Sequence, residues 1–392
     1  MREGWEYRKL GEVCETSSGG TPSKNKKEYY EDGNIPWLRS GEVAQGLIYK
    51  SELFITEEGL KKSSAKLFPI DTIVLAMYGA TVGQVGLLKK EMATNQAICG
   101  IFPNKSFIPM FLLYCLRAKK PFFMKDAVGG AQPNISQNLI KHTSIPVPPL
   151  SEQQRIVEEL DLLSSIIEKK KEQLKELDNL AQSIFYDMFG DPVTNEKGWE
   201  EGKIDIAFSY IKNGANIKQT KNAIGFPITR IETLSGGIFH RDRMGFANIL
   251  ELGKYSQYVL NDGDILMSHI NSKAFVGRAV MYKQEKGDVI IHGMNLLRLK
   301  AKREIIEPRF AEFYFKTDFF KNEVAKVRKD AVNQSSISIG DLRNILFPLP
   351  PLPLQQLFAS KIEAIEQQKE LIKRSIAEVE TMFNSRMDYY FN

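Results

Sequence analysis

The stretch IPVPPLSEQQRI at residues 145–156 returns 202 residues later as FPLPPLPLQQLF at residues 347–358. Six of the twelve positions are identical: three prolines, one leucine and two glutamines. The same offset continues upstream over three identical pairs, Gln132, Ile135 and Ser136 against Gln334, Ile337 and Ser338. Between these anchors the two halves share little sequence. Similar ends with dissimilar middles indicate one scaffold that is repeated and carries two different variable segments.

A long helix is predicted after each proline run. Apolar residues in both helices follow each other at alternating spacings of four and three, broken only at Lys170 in the first helix and at Lys369 and Arg386 in the second. This spacing is typical of a coiled coil. Ser151 with Gln154 fits a capping box at the start of the first helix, and Gly190-Asp191-Pro192 supplies its end. The first series is Ile156, Leu160, Leu163, Ile167, Leu174, Leu177, Ala181, Ile184 and Met188, and the second is Phe358, Ile362, Ile365, Ile372, Ile376, Val379, Phe383 and Tyr390.

The two apolar series coincide under the offset of 202, so the helices are predicted to pair with each other. An antiparallel arrangement lets repeated halves face one another symmetrically, and it brings Ile156 close to Tyr390 and Phe358 close to Met188. The predicted fold is α+β with an internal pseudo-two-fold repeat. Its segments are globular over 1–150 and 191–350, and helical over 151–190 and 351–392.

Within the globular segments the pattern of apolar residues predicts mixed secondary structure. Helices are expected over 109–124 and 308–327, where apolar residues follow a proline. The strand-like runs cover residues 72–78, 96–102, 264–270 and 289–299. Short anchors, Val82-Gly83 with Val276-Gly277 and Asn95 with Asn295, suggest that the two middles share a framework.

Positive charge is concentrated outside the predicted helices. The chain has a formal charge of +5, of which the two helices contribute −5, so the globular segments carry +10. Basic globular segments suit contacts to phosphate, whereas acidic helices suit contacts to protein.

Loops of the globular segments mix cationic and amide side chains with hydroxyls and aromatics, as in GTPSKNKK at residues 20–27. Hydroxyls and lysines suit phosphate contacts, while Arg, Asn and Gln can read base edges through two hydrogen bonds. Arg39 with Asn95 and Gln96, and Arg230 with His269 and Asn271, are the predicted base readers. The full set of predicted DNA contacts is Thr21, Ser23, Lys24, Lys26, Lys27, Arg39, Ser40, Tyr78, Thr81, Gln84, Asn95 and Gln96 in the first half, and Lys218, Lys221, Arg230, His269, Asn271, Lys273, Arg278 and Asn295 in the second.

Motifs for catalysis, phosphate loops and metal binding are not found in the sequence. There is no Asn/Asp-Pro-Pro-Tyr/Phe tetrapeptide for amine methylation, and no metal-binding His-Glu-x-x-His. Cys14, Cys99 and Cys115 lack CxxC spacing and are predicted to be buried free thiols. No signal peptide or membrane-spanning run is apparent, so a cytoplasmic protein without a catalytic site or metal is expected.

The repeated Pro-x-Pro-Pro-Leu-x-x-Gln-Gln junctions, the SGGTPS loop at residues 18–23 and IFYDMFGDP at residues 184–192 resemble type I restriction–modification specificity subunits. This resemblance covers essentially the whole chain and implies two target-recognition domains, each reading one half of a split, asymmetric DNA site. It implies that the paired helices set the spacer between the half-sites and dock two methyltransferase subunits, which restriction subunits join. S-adenosylmethionine, ATP and magnesium would belong to those partner subunits, in a prokaryotic cytoplasm.

Two alternatives remain open from sequence. One is a self-sufficient DNA methyltransferase or nuclease, which methyl transfer by the isolated chain would reveal. The other is a coiled-coil interaction scaffold that never contacts DNA, which a lack of salt-dependent duplex binding would reveal.

Overall fold

The computed structural model describes residues 5–127, 133–220, 224–332 and 334–392. The chain divides into two compact units, each of which contains one part of both long helices. The first unit is Met1–Glu172 with Lys373–Asn392, and the second is Gln173–Ile372.

The first unit is built on two small sheets. Neighbours in the larger sheet are antiparallel except for its last pair, which is parallel, and its strands in spatial order are Thr16–Ser18, Ile98–Ile101, Ile73–Ala76, Val85–Leu88 and Leu47–Ile48. The second sheet has the order Phe54–Ile55, Ile35–Leu38, Met92–Thr94 and Leu67–Phe68, with its middle pair parallel. A separate antiparallel pair joins Glu6–Lys9 to Ser144–Val147. The helices are Leu10–Val13, Glu57–Lys61, Pro109–Ala118, Lys120–Lys125 and Gln137–His142.

The second unit repeats the larger sheet with antiparallel strands only, in the order Phe208–Asn213, Leu297–Ala301, Ile265–Met267 and Ala279–Met281. Two three-stranded sheets accompany it, of order Gln219–Thr220, Gly245–Ala247, Phe226–Ile228 and of order Ile270–Asn271, Ser335–Ser336, Lys329–Asp330. An antiparallel pair joins Glu201–Lys203 to Leu346–Pro348, as in the first unit. Its helices are Ile204–Ala207, Pro308–Lys316, Asp318–Val327 and Ile339–Asn344.

The two long helices are Leu150–Phe189, here called the central helix, and Leu352–Phe391, called the C-terminal helix. Within the first unit the central helix places Arg155 beside Tyr390 and Lys171 beside Glu380. Residue numbers therefore rise along one helix as they fall along the other, which confirms antiparallel pairing. Ile156 and Tyr390 are buried in the same apolar cluster, as predicted.

The second unit shows the same pairing in its own part of the helices. The Lys369 ammonium lies 2.7 Å from the Asp178 carboxylate, and the Phe185 and Phe358 rings are 5.6 Å apart between centroids. Met188 packs against the cluster that contains Phe358, again as predicted. The central helix ends before Gly190, whose φ of 75° provides the predicted stop.

The start of the central helix differs from the prediction. The central helix begins at Leu150, so Ser151 lies in its first turn rather than at the cap, and the capping-box interpretation is wrong. The Pro149 carbonyl accepts the backbone N–H groups of Glu152 and Gln153 instead. The Gln153 side chain is fully buried: its oxygen accepts the Ile108 N–H, and its amide donates to the carbonyls of Ser106 and Pro148, each at 2.9 Å.

Gln355 makes the equivalent contacts in the second unit, to the Glu307 N–H and to the Ile305 and Pro350 carbonyls. The repeated glutamine, whose side chain is fully buried in both units, therefore joins the proline run to a loop of the globular part through hydrogen bonds. This role explains physically why the same residue stands at both junctions.

Replacing Gln153 with Ala is expected to lower the free energy of unfolding by about 3 kcal/mol, because the fully buried side chain loses three hydrogen bonds that contribute about 1 kcal/mol each. Urea denaturation of the full chain, followed by circular dichroism, measures the change. The matched control is Gln154→Ala, since Gln154 is exposed and contacts only Glu158, so its loss stays within about 0.5 kcal/mol. Equal effects of the two substitutions would contradict this role of Gln153.

Two predicted helices are interrupted. Residues 109–124 form Pro109–Ala118 and Lys120–Lys125, with Pro121 in the first turn of the second piece. Residues 308–327 break at Thr317, whose backbone is extended and whose hydroxyl caps the helix that follows by accepting the Phe320 N–H. A proline in one case and a local cap in the other start a new helix.

The predicted strand over 289–299 is also wrong in its extent. The strand is Leu297–Ala301, and the residues before it make only isolated bridges, Ile291 with Ile228 and Val259 and Gly293 with Ala215. The other three runs contain the strands Ile73–Ala76, Ile98–Ile101 and Ile265–Met267, as predicted. No helix in the described part of the chain is long and apolar enough to cross a membrane.

Candidate nucleic-acid interface

One end of the larger sheet in the first unit collects most of the predicted contact residues. Because neighbouring strands are antiparallel, the strands that end at Ser18 and Ala76 lie beside the beginnings of those that start at Val85 and Ile98. The second sheet adds Arg39, because the Asn95 N–H donates to the Leu38 carbonyl at 3.0 Å. We call these loops the first strand-end surface: residues 18–23, 39–40, 78–84 and 95–96.

The backbone of the loop over residues 18–23 packs closely against neighbouring segments of the first unit. A Cβ atom at Gly19 would lie 2.1 Å from the Thr94 hydroxyl, and one at Gly20 would lie 2.2 Å from the Ser64 backbone carbon. The Trp37 indole donates to the Gly20 carbonyl at 3.0 Å, and the Thr21 hydroxyl contacts the Gln96 amide oxygen. The two glycines therefore let the loop approach its neighbours and fix Thr21 and Gln96 together.

Arg39 is exposed but already paired. Its guanidinium lies 2.5 Å from the Glu52 carboxylate and 3.8 Å from that of Glu42, and its backbone N–H donates to Glu42 at 3.0 Å. These contacts stabilise the start of the 3-10 helix Ser40–Gln45, which directly follows Arg39. Reading a base with Arg39 would require its carboxylate partners to be displaced, and its role as a base reader stays a prediction.

The remaining predicted residues of the first unit differ in exposure. Tyr78 is 46% exposed, and the Thr81 hydroxyl donates to its carbonyl at 3.1 Å. The Asn95 amide oxygen is buried and has no hydrogen-bond partner among the described residues, so it faces the interior. Ser23 and three lysines follow the glycine loop and are exposed: Lys24, Lys26, which contacts the Tyr29 hydroxyl at 3.1 Å, and Lys27.

The second unit forms an equivalent surface at the same end of its larger sheet. Strands ending at Asn213 and Met267 lie beside the beginnings of those that start at Leu297 and Ala279. We call its loops the second strand-end surface: residues 213–218, 230, 269–278 and 293–295.

Asn213 links two of these loops. Its amide nitrogen lies 2.9 Å from His269 Nε2 and donates to the Met294 carbonyl at 2.9 Å. His269 is only 7% exposed, and burial lowers its imidazole pKa. The ring thus faces the interior as a neutral group, and its predicted contact with DNA is untested.

Other predicted residues of the second unit lie on the surface. Lys218 and Asn295 are exposed, and the Asn271 amide donates to the Ser268 hydroxyl at 3.1 Å. Lys273 lies 3.5 Å from the Asp330 carboxylate. Lys221 lies outside the described residues.

Arg230 occupies the position of Arg39. Each arginine directly precedes a short 3-10 helix, and the side chain three residues later accepts its backbone N–H, Glu42 at 3.0 Å and Thr233 at 2.9 Å. The Arg230 guanidinium approaches Glu232 to 4.0 Å. The two surfaces therefore share a framework where the sequences differ.

Sequence reasoning missed Asn213 and Phe275, the ring on which Arg278 lies. The signal for Asn213 in the sequence is the glycine that follows it, because Gly214 follows its strand as Gly19 follows the strand that ends at Ser18. Both glycines allow a close approach of the backbone, since a Cβ at Gly214 would lie 2.1 Å from the His292 carbonyl oxygen. The proposed match of Asn95 with Asn295 is wrong. Asn95 and Gly293 are the equivalent residues instead. The Asn95 N–H donates to the carbonyl of Leu38, which precedes Arg39, and the Gly293 N–H donates to the hydroxyl of Thr229, which precedes Arg230.

The described residues hold no group of three or more His, Cys, Asp or Glu side chains arranged to bind a metal ion. Cys14, Cys99 and Cys115 are buried and free, as predicted, and burial raises the pKa of each thiol, to about 11 for Cys14 and about 12 for the other two. These thiols are therefore part of the apolar core.

Comparison with known proteins gives a consistent family. The sequence model described as "Type I restriction modification DNA specificity domain" matches twice, over residues 2–178 and 196–381. The specificity subunit of the type I restriction enzyme MjaIX from Methanocaldococcus jannaschii is 27% identical, over 92% of this chain and 86% of the relative. The EcoKI specificity subunit of Escherichia coli K12 is 23% identical, over 96% and 85%.

Solved structures agree on the fold. The type I restriction–modification S subunit from M. genitalium matches with a TM-score of 0.56 and 14% identity, covering 100% of this chain and 98% of the other. A chain from a study of complex assembly in the type I system matches with a TM-score of 0.63 and 21% identity, with the same coverage. With two copies of the domain spanning most of its length, the chain belongs to the family of type I restriction–modification DNA specificity subunits.

Proposed function

We propose that the two strand-end surfaces each bind one half of a split duplex site, and that the paired helices set the spacing between the half-sites. The observation that carries this proposal is the repeated framework. Each unit has cationic, amide and hydroxyl side chains at the equivalent end of its own larger sheet. The positive charge outside the helices supports phosphate contacts by these units.

The chain acts in this proposal as a reader without a reaction of its own. Methyltransferase subunits dock on the acidic helices and hold S-adenosylmethionine, while restriction subunits use ATP and magnesium. The whole complex works in the prokaryotic cytoplasm. The relatives from Methanocaldococcus jannaschii and Escherichia coli are specificity subunits of type I restriction enzymes, which supports this division of labour.

Non-specific affinity should come from Lys24, Lys26 and Lys27. Replacing all three with Ala removes up to three phosphate contacts, so we expect weaker binding to every sequence and a salt slope that is flatter by about 2 to 3. Fluorescence anisotropy of duplex binding by the assembled complex, between about 50 and 200 mM salt, measures the slope.

The matched control replaces Lys61 and Lys62 with Ala. These lysines are also exposed: Lys61 ends the neighbouring helix and Lys62 follows it, and they form ion pairs with Glu57 and Glu58 at 2.9 and 2.7 Å. Their substitution should leave the salt slope unchanged. An unchanged slope in the variant lacking Lys24, Lys26 and Lys27 would remove this loop from the DNA interface, and no duplex binding by the wild-type complex would overturn the proposed function.

A further inference from the structure

The turn that crosses each strand-end surface has the same backbone in both units. Gly83 and Gly277 have left-handed φ values of 75° and 85°. The next residue, Gln84 or Arg278, donates its N–H to the carbonyl three residues earlier, at 2.9 and 3.3 Å. Its own carbonyl accepts a backbone N–H at the end of the preceding strand, from Ala76 in the first unit and from Ser268 in the second, both at 2.9 Å.

Positions 84 and 278 are therefore equivalent, although the second turn is two residues longer. The strand register agrees, since the residues after them, Val85 and Ala279, pair with Leu75 and Met267. Both side chains therefore start from the same point of the framework, on the turn between two paired strands of the larger sheet.

The two side chains are half-buried and available. Within the described ranges, neither the Gln84 amide nor the Arg278 guanidinium has a hydrogen-bond partner or an ion pair. Arg278 lies over the Phe275 ring at 4.2 Å, so its planar group is oriented without its donors being used. Arg39 and Arg230, by contrast, already approach carboxylates.

We propose that positions 84 and 278 are the equivalent base-reading positions of the two units, with Gln84 binding an adenine and Arg278 a guanine in the major groove. This inference rests on the proposed function and adds the residues that determine specificity. Glutamine pairs with the N6 and N7 atoms of adenine through two hydrogen bonds, and arginine pairs with O6 and N7 of guanine. Unpaired donors lose no protein contact when they bind a base.

The test exchanges the two side-chain types, with Gln84→Arg and Arg278→Gln made separately. Each variant, assembled with its methyltransferase subunits, selects duplexes from a randomised pool, and the bound fraction is sequenced. We expect Arg278→Gln to change guanine to adenine at one position of one half-site, by about 10- to 100-fold in preference. Gln84→Arg should make the reverse change at one position of the other half-site.

Lys90→Gln and Lys286→Gln are the matched controls, because both lysines are exposed and lie in turns at the opposite end of the sheets. They should leave the selected sequence unchanged. Thermal unfolding of all variants checks that the fold is kept, and Arg278→Ala should lose the guanine preference without gaining another.

Three results would overturn the proposal while the proposed function stands: selected sequences identical to wild type, both changes in the same half-site, or weaker binding to all sequences alike. The last would assign these side chains to phosphate contacts. Failure of the wild-type complex to select any sequence is a different result, since it would reject the proposed function itself.

Discussion

We expect that removing one heptad from each long helix will shorten the spacer between the proposed half-sites by about three base pairs. The deletion takes residues 164–170 from the central helix and 376–382 from the C-terminal helix, which lie opposite each other. The pairs of Glu159 with Arg386 and of Asp178 with Lys369 flank these segments. Each helix loses about 10 Å at 1.5 Å per residue, and duplex DNA rises about 3.4 Å per base pair.

Seven residues are two turns of a coiled coil, so the deletion keeps the alternating apolar spacing and the pairing at both ends. Selection from randomised duplexes by the assembled complex measures the spacer, with both half-sites unchanged. Deleting 164–170 alone serves as the control, because it puts the two helices out of register and should abolish selective binding. Selection of the original spacer by the double deletion would show that the helices do not set the distance.

The helices and their antiparallel pairing could be predicted from sequence because their signals are long and repeated. An apolar series over five heptads, present twice at one offset, leaves few alternatives for where it is buried. The starts of the helices were less predictable. The first backbone N–H groups of the central helix could be accepted by the Ser151 side chain or by the Pro149 carbonyl. Which of the two accepts them depends on the contacts of the buried Gln153 side chain with a loop more than 40 residues earlier.

The globular segments were predicted less well because their framework depends on contacts between distant residues. The run at 289–299 has the composition of a strand, but its first part makes only isolated bridges, which depend on distant residues such as Ile228 and Val259. Candidate contact residues could be chosen by type and loop position. Whether each of these side chains is free to bind DNA could not be predicted, because it depends on distant partners. Arg39, for example, pairs with Glu52, which lies 13 residues away.

Acid should destabilise the second unit through one buried histidine. His292 is fully buried, and its Nε2 lies 2.9 Å from the Leu296 carbonyl. Desolvation lowers its pKa to about 3, with smaller contributions in the same direction from Arg298 and from the neighbouring imidazole of His269, although the hydrogen bond to Leu296 acts in the opposite direction. Its carbonyl accepts the Ala215 N–H at 2.7 Å, so this residue also holds the second strand-end surface.

In the unfolded chain the pKa of a histidine is about 6.5, so between pH 6.5 and 3 the unfolded state binds a proton that the folded state excludes. The contribution of His292 to stability is therefore complete above about pH 6.5 and declines as the pH falls. The decline is about 1.4 kcal/mol per pH unit, or roughly 2 to 3 kcal/mol between pH 6.5 and 4.5.

Replacing His292 with Gln should remove the His292 contribution to this pH dependence, because glutamine is neutral throughout and retains an amide that can donate to the Leu296 carbonyl. The buried His269, whose pKa is also lowered, contributes in the same direction in both proteins. Urea denaturation at pH values from about 7 to 4.5 gives the free energy of unfolding for wild type and variant. The difference between them should shrink or reverse as the pH falls, whatever the cost of the substitution at pH 7. His142→Gln controls for loss of a histidine at an exposed position. Parallel curves for wild type and His292→Gln would contradict this prediction, because they would mean that His292 binds its proton equally well in the folded and unfolded states. The folded state is expected to bind it less well, since Nδ1 of His292 is buried and has no hydrogen-bond partner among the described residues.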